Sequence, residues 1–319
     1  MAKVAGSLFD LFCIERVSLL KHRLNERQRD VLSGYAFILP AMIFMVALIG
    51  YPIVYNFLIS FQNFDAASFA TGETSFCGFN NYIKAFSDEV MGISIRNTFV
   101  YTIFSLVFQF SIGFGFALFF NQKFNFSKPI RGFLVVSYMM PVTVTALMFK
   151  FMLSPSNGII NDIMVGMHLI GEPIPWLLDG GTAIWGLIIA NSWIGIPFNM
   201  LILTTGLANI SEDIYESAAI DGAGAFRKFF SITLPLLKPA IMSVLVLGFV
   251  YTFKVFDLVY VMTSGGPVNA TEVLSTFSYK LSFKFYYFGE GAAVANFLFV
   301  CLFVVALIYL GLMGKDEKE

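Results

Sequence analysis

A chain of 319 residues that is 57% hydrophobic and only 13% charged cannot cover a soluble surface of its own size, since soluble domains carry about 25% charge. With a mean hydropathy of +0.76, the composition is that of an integral membrane protein. Twenty basic and 21 acidic residues leave a net charge of −1, which excludes the electrostatic footprint of a nucleic-acid binder.

The first 33 residues carry Lys3, Arg16, Lys21, Arg23, Arg27 and Arg29 and lack the short apolar stretch and cleavage site of a signal peptide. They read as a cytoplasmic segment, lying along the membrane if helical. A spanning helix needs about 20 mostly apolar residues. Windows between charges, one continued past Lys150 and one past Lys254 and Asp257, place six of them, at 34–58, 97–120, 132–153, 183–206, 239–263 and 291–313. The runs are continuous and do not alternate, so the fold class is all-α, a polytopic bundle, and not a barrel. Residues 34–313 form the membrane domain, and 314–319 a short cytoplasmic tail.

Charge sets the orientation. Fourteen of the 20 lysines and arginines fall on the side of the two termini and four on the other, so both ends face the cytoplasm. Lys150 and Lys254 fall at membrane depth. Lys150, near a helix end, reaches for the interface. Lys254 and Asp257 stand at i, i+3 on the fifth helix and are expected to pair with each other.

The 207–238 connection between the fourth and fifth helices is too long for a turn in a compact bundle. Ser211 can cap a short helix, with Glu212 and Asp213 in its first turn. Ile214, Ala218 and Ala219 follow at helical spacing. Gly222 and Gly224 end or bend the helix, and Pro235 and Pro239 mark the return to the membrane. A short helix with small residues, held parallel to the bilayer, is a docking surface.

Prolines interrupt three membrane helices: Pro40 and Pro52, Pro141, and Pro197. Transporter sites favour such breaks. Asn191, Gly195 and Phe198 share one helical face, as do Gly248, Tyr251, Thr252 and Val255. Aromatic rings beside amides and hydroxyls suit a sugar, which has apolar faces and a hydroxyl rim. No catalytic constellation exists. There is no G-x-x-x-x-G-K-[ST] phosphate loop. His22 and His168 are far apart, and Cys13, Cys77 and Cys301 show neither metal nor disulfide spacing.

The stretch YESAAIDGAGAFRKFFSITLPLLKP, at 215–239, resembles the EAA loop of permease subunits of binding-protein-dependent ABC importers. FNNYIKAF (79–86), NGIIN (157–161), NSWIGIPFNMLILTTGL (191–207), YTFKVFDLVYVMTSGGP (251–267) and GEGAAVANFLF (289–299) are similar to the carbohydrate-uptake branch, which includes the maltose and glycerol-phosphate systems. Ser217 stands where the family usually has alanine, and Ser264 where glycine or asparagine is commoner. The resemblance implies a chain without catalysis or cofactor of its own in a bacterial or archaeal plasma membrane. ATP and magnesium would be held by two cytoplasmic ATPase subunits. A second, homologous permease and an extracellular or periplasmic solute-binding protein would complete the machine. The motif positions are Glu216 and Asp221, with a polar and capping role, Ala218, for close packing, and Gly222, at the turn. Tyr138, Asn191, Gly195, Phe198, Gly248, Tyr251, Thr252 and Val255 match positions lining the sugar site of maltose-type permeases. Valine and threonine stand where that type has asparagine, which leaves the particular sugar open. Alternatives are a permease for another solute class or a cation-coupled secondary carrier. The carrier reading would want inverted repeats and midplane acids.

Overall fold

The structure, a computed structural model, describes residues 26–122, 124 and 126–316. The reading of the N-terminal segment up to residue 25, the basic residues within it, Lys123 and the tail from 317 lie outside the described residues. The helices are α1 (Glu26–Met45), α2 (Tyr51–Ser60), α3 (Ala66–Thr71), α4 (Asn80–Ser87), α5 (Glu89–Asn121), α6 (Ser127–Met139), α7 (Val142–Met152) and α8 (Ile159–Gly166). They continue with α9 (Ala183–Ala208), α10 (Glu212–Ile220), α11 (Ala225–Lys228), α12 (Leu234–Phe253), α13 (Asp257–Met262), α14 (Leu274–Tyr279) and α15 (Phe288–Asp316). The fold is mostly but not purely α-helical: β1 (Gln62–Asn63) and β2 (Ser75–Phe76) pair antiparallel, Gln62 opposite Phe76.

The described residues up to 58 and those from 59 onward form separate units. In the first, Pro52 has no N–H for the Leu48 carbonyl and its ring crowds that carbonyl. The helix responds with a π turn at Val46–Gly50, closed by Tyr51 N–H on Val46 O.

Among the described residues, five helical runs are long and apolar enough to cross a membrane: Asp30–Ser60, Glu89–Asn121, Ala183–Ala208, Ala225–Phe253 and Phe288–Gly311. A sixth crossing exists if α6 and α7, bent by 97°, count as one. The expected continuous helix at 132–153 is therefore broken. Proline pushes its predecessor out of the helical region, and Met140 (ψ 137°) and Pro141 (ψ 135°) are extended.

The expected fifth helix at 239–263 is displaced. It starts at Ala225, straight after Gly224, and stops at Phe253. Pro235 and Pro239 lie inside it, because a π turn at Phe229–Thr233, closed by Leu234 N–H on Phe229 O, absorbs the first of them. The 207–238 connection thus shrinks to α10 with a few residues on either side. The Glu89–Asn121 helix starts eight residues earlier than its apolar window, because Asp88 caps it by accepting from Val90 N–H at 2.8 Å.

Within residues 59–319, α5 and α9 pack along each other. A buried stripe of Tyr101, Ser105, Gln109, Gly113 and Ala117, spaced four apart, runs down one face of α5. At Gly113 a Cβ would lie 2.6 Å from the Asn199 Cβ and 3.0 Å from the Ile196 carbonyl oxygen, so the backbones touch. Towards one end, Tyr101, Leu187, Ile188, Leu258 and Val259 form a buried cluster; towards the other, Ala117, Leu203, Leu207, Leu237 and Val244 form a second. The loop after α13 is held from inside. Asn97 Nδ2 donates to the carbonyls of Ala270 and Glu272, both at 3.0 Å, and the fully buried Glu272 carboxylate pairs with Lys280. Outside the spans, Asp65 caps α3, and its carboxyl is held below the usual carboxylate range by the Ser68 backbone N–H and side chain.

Candidate functional site

Two short helical faces and a helix break build one cavity of about 330 Å³. From α9 come Asn191, Gly195 and Phe198; from α12 come Gly248, Tyr251 and Thr252; Val255 follows where α12 has ended. Seven of the eight residues expected at the sugar site line it. The eighth, Tyr138, does not, but its ring stacks on Phe198, with centroids 5.8 Å apart at 29°. Phe198 in turn meets Tyr251 edge-on at 6.1 Å and 87°. The three rings form an aromatic wall, and Tyr251 is 60% exposed, as a plate for a ligand must be.

The polar side of the cavity is Asn191, Thr252 and Gln109. Gln109 Nε2 donates to the Asn191 carbonyl oxygen at 3.2 Å, and Asn191 Nδ2 is buried without a partner. Two glycines make this approach possible. A Cβ on Gly195 would lie 2.1 Å from Gln109 Cδ, and one on Gly248 would lie 2.8 Å from Leu106 Cδ2.

Sequence reasoning missed Gln109, Val142, Ile194 and Phe256, which also line the cavity, and misread Lys254 and Asp257. The last two do not form the expected pair. The helix ends between them, so the i, i+3 geometry is absent, and no ion pair joins them among the described residues. Both line the cavity, with Lys254 Nζ 5.5 Å from the centroid of the Tyr251 ring. Lys150 binds a protein group: its Nζ donates to the Val261 carbonyl oxygen at 3.2 Å.

The second assembly is α10. Ser211 Oγ accepts from Asp213 N–H at 3.3 Å, and Glu212 and Asp213 occupy the first turn. The far end is a Schellman closure. Gly222 has φ +77°, its N–H binds the Ala219 carbonyl at 3.0 Å, and Ala223 N–H binds that of Ala218 at 2.8 Å. Asp221 caps through its backbone N–H, on Ser217 O at 3.1 Å, and not through its carboxylate, which has no hydrogen bond among the described residues. Tyr215 OH meets Thr233 Oγ1 at 2.9 Å, tying α10 to the π turn that opens the next span. Glu216, Asp221 and Gly222 are exposed and Ala218 is half-buried. Beside them Ile220 is 88% and Phe226 79% exposed. A capped, tethered helix flanked by bare apolar side chains is a surface shaped to be covered.

The sequence profile described as binding-protein-dependent transport system inner membrane component matches residues 109–313. The chain is 32% identical, over 92% of its length and 97% of the relative's, to the trehalose/maltose transport system permease protein MalF of Thermococcus litoralis. It is 30% identical, over 90% of its length and 92% of the relative's, to the sulfoquinovosyl glycerol transport system permease protein SmoG of Agrobacterium fabrum. A solved chain of a bacterial ABC transporter involved in the import of the acidic polysaccharide alginate superposes with a TM-score of 0.76 at 23% identity, covering 90% of this chain and 96% of that one, a likeness of fold. Apolar spans, a capped short helix between two of them and these matches lead to one conclusion: the chain belongs to the binding-protein-dependent transport system inner membrane component family.

Proposed function

We propose that this chain is one of two permease subunits forming the pathway of an ATP-driven carbohydrate importer. The observation that carries the carbohydrate reading is the cavity, lined by the rings of Phe198, which Tyr138 backs, and Tyr251 together with the amides of Asn191 and Gln109 and the Thr252 hydroxyl. The relatives named for trehalose/maltose and sulfoquinovosyl glycerol transport support it. The reading counts α6 and α7 as one broken crossing, which gives six spans with both termini inside, in accord with the distribution of lysine and arginine.

In this reading α10 is the coupling helix, seated in a groove of one of two cytoplasmic ATPase subunits that hold ATP and magnesium. Glu216 and Asp221 are its polar contacts, Ala218 allows close approach, and Gly222 sets the angle at which the chain leaves. Closure of the ATPases moves α10, and Tyr215–Thr233 passes the movement to the following span as a rigid-body shift. A solute-binding protein on the outer side delivers the sugar.

The test is reconstitution of the four-subunit complex with its binding protein in proteoliposomes. ATP-dependent accumulation of a labelled disaccharide is the expected result. Accumulation of amino acids or phosphate, with every sugar excluded, refutes the carbohydrate reading. Cysteines placed at 62–96 should react with an impermeant reagent from outside and those at 209–224 should not; the reverse refutes the orientation.

A further inference from the structure

Gln109 lies in the middle of α5, in the stripe that faces α9, and is 3% exposed. A primary amide buried at membrane depth is unfavourable unless its donors and its acceptor are matched. Here only half of it is. Nε2 donates to the Asn191 carbonyl oxygen, but Oε1 receives no hydrogen bond among the described residues. Oε1 lies against Gly195, a residue of the cavity wall, where a Cβ would come within 2.3 Å of it. In the same lining Asn191 Nδ2 is buried and has no hydrogen-bond partner among the described residues. Two adjacent elements of one cavity wall thus offer one free acceptor and one free donor.

That pairing has a chemical complement. A sugar hydroxyl both donates and accepts, and two neighbouring hydroxyls on a pyranose ring can take both groups at once. We propose that Gln109 is a substrate-contacting, specificity-determining residue, its Oε1 accepting from one hydroxyl of a vicinal diol while Asn191 Nδ2 donates to the other. Gly195 is a glycine because any side chain there would push the Gln109 amide out of the wall. The proposal rests on the carbohydrate reading given above. The competing role for Gln109 is that of a strut, which only holds the Asn191 carbonyl.

The experiment uses the full complex with its binding protein in proteoliposomes, with labelled maltose, trehalose and lactose as probes and monodeoxy analogues of the accumulated sugar as competitors. Gln109→Met keeps the side chain's length and removes both its acceptor and the donor that binds the Asn191 carbonyl, so the deoxy-analogue pattern, and not the loss alone, separates contact from strut. Uptake should fall roughly 5- to 100-fold, the range for one buried hydrogen bond left unmade. Discrimination against one deoxy analogue should disappear and discrimination against the others persist. A uniform loss with the whole pattern of discrimination intact means a strut and overturns the proposal. Gly195→Ala should lower uptake in the wild-type background and add nothing in a Gln109→Ala background, where the clash is gone; additive losses also overturn it. A final arm does not depend on the sugar. In a cysteine-free complex, Gln109→Cys and Asn191→Cys should react with a small cationic methanethiosulfonate, and Ser105→Cys, one turn away and fully buried, should not. Reaction at 191 but not at 109 overturns the proposal and spares the site; reaction at neither overturns the site. Labelling as expected, with amino acids or phosphate accumulated and every sugar excluded, overturns the carbohydrate reading and the hydroxyl assignment with it.

Discussion

Replacing Gly222 with proline separates the proposed coupling helix α10 from the bundle that carries it. Gly222 sits at φ +77°, and proline is locked near −65°, so the turn cannot survive the substitution. Its missing N–H removes the bond to Ala219, and the rebuilt chain path removes the bond from Ala223 to Ala218. At about 0.5–1.5 kcal/mol for each hydrogen bond, plus about 1–2 kcal/mol for a residue forced against its backbone preference, the local loss is about 2–5 kcal/mol. None of it falls on the membrane bundle, because Gly222 is exposed and a Cβ there meets nothing within 4 Å. Gly222→Ala keeps the N–H and incurs only the strain, so it should lie between wild type and Gly222→Pro. The assay is the purified complex in proteoliposomes, scored for assembly by pull-down, for ATP hydrolysis, and for uptake driven by the binding protein. Gly222→Pro should assemble, hydrolyse ATP without stimulation by the binding protein, and fail to transport. Normal uptake, or loss of the assembled complex, refutes the reasoning.

Glu216→Lys inverts an exposed charge on α10 that has no ion-pair partner among the described residues, so thermal stability should move by less than about 0.5 kcal/mol while coupled uptake is lost. Asn191→Ala removes the unmatched buried donor; uptake should drop about 5- to 100-fold with assembly and the binding protein's own affinity unchanged, as pull-down and titration calorimetry will read. The Asp65 cap of α3 is pH-dependent with a definite sign. Its carboxyl is lowered by Ser68, so the cap is complete above the ordinary carboxylate pKa of about 3.9 and is lost as the pH falls through the lowered value. Hydrogen exchange across Ala66–Thr71 should quicken only in that acid range, and in Asp65→Ala it should be fast at every pH.

Apolar windows located five runs long enough to cross a membrane, because burial in lipid demands them, and placed a continuous helix at 132–153 where the chain is bent. They could not find the ends. The start of α5 depends on the Asp88 cap, which lies outside the apolar window, and the start of the span at Ala225 depends on a π turn that hydropathy does not register. Two opposite proline outcomes were equally hidden. Pro141 breaks its helix, whereas Pro197 sits inside an unbroken one, and the surrounding packing decides which occurs. The cavity was legible where its residues repeat on one helical face, as in Asn191, Gly195 and Phe198. Lys254 and Asp257 were misplaced because face arithmetic assumes a continuous helix, and α12 ends at Phe253. Gln109 shares no periodic face with the other lining residues. Its only signal was an amide inside an otherwise apolar stretch.

The bend at Pro141 has a consequence for how the chain enters the bilayer. At 1.5 Å per residue, the 13 residues of α6 reach about 20 Å and the 11 of α7 about 17 Å, against a hydrocarbon core of about 30 Å. Neither can partition into lipid as an independent crossing, and the extended Met140–Pro141 backbone between them cannot face lipid with its carbonyls unmatched. The partners that hold the pair are α9, against α6, and α13, against α7. Both are synthesised later. The contacts that hold the 127–152 segment thus come from later in the chain, from α9 at Ala183–Ala208 and from α13 at Asp257–Met262, and neither half of the segment is long enough to cross without them.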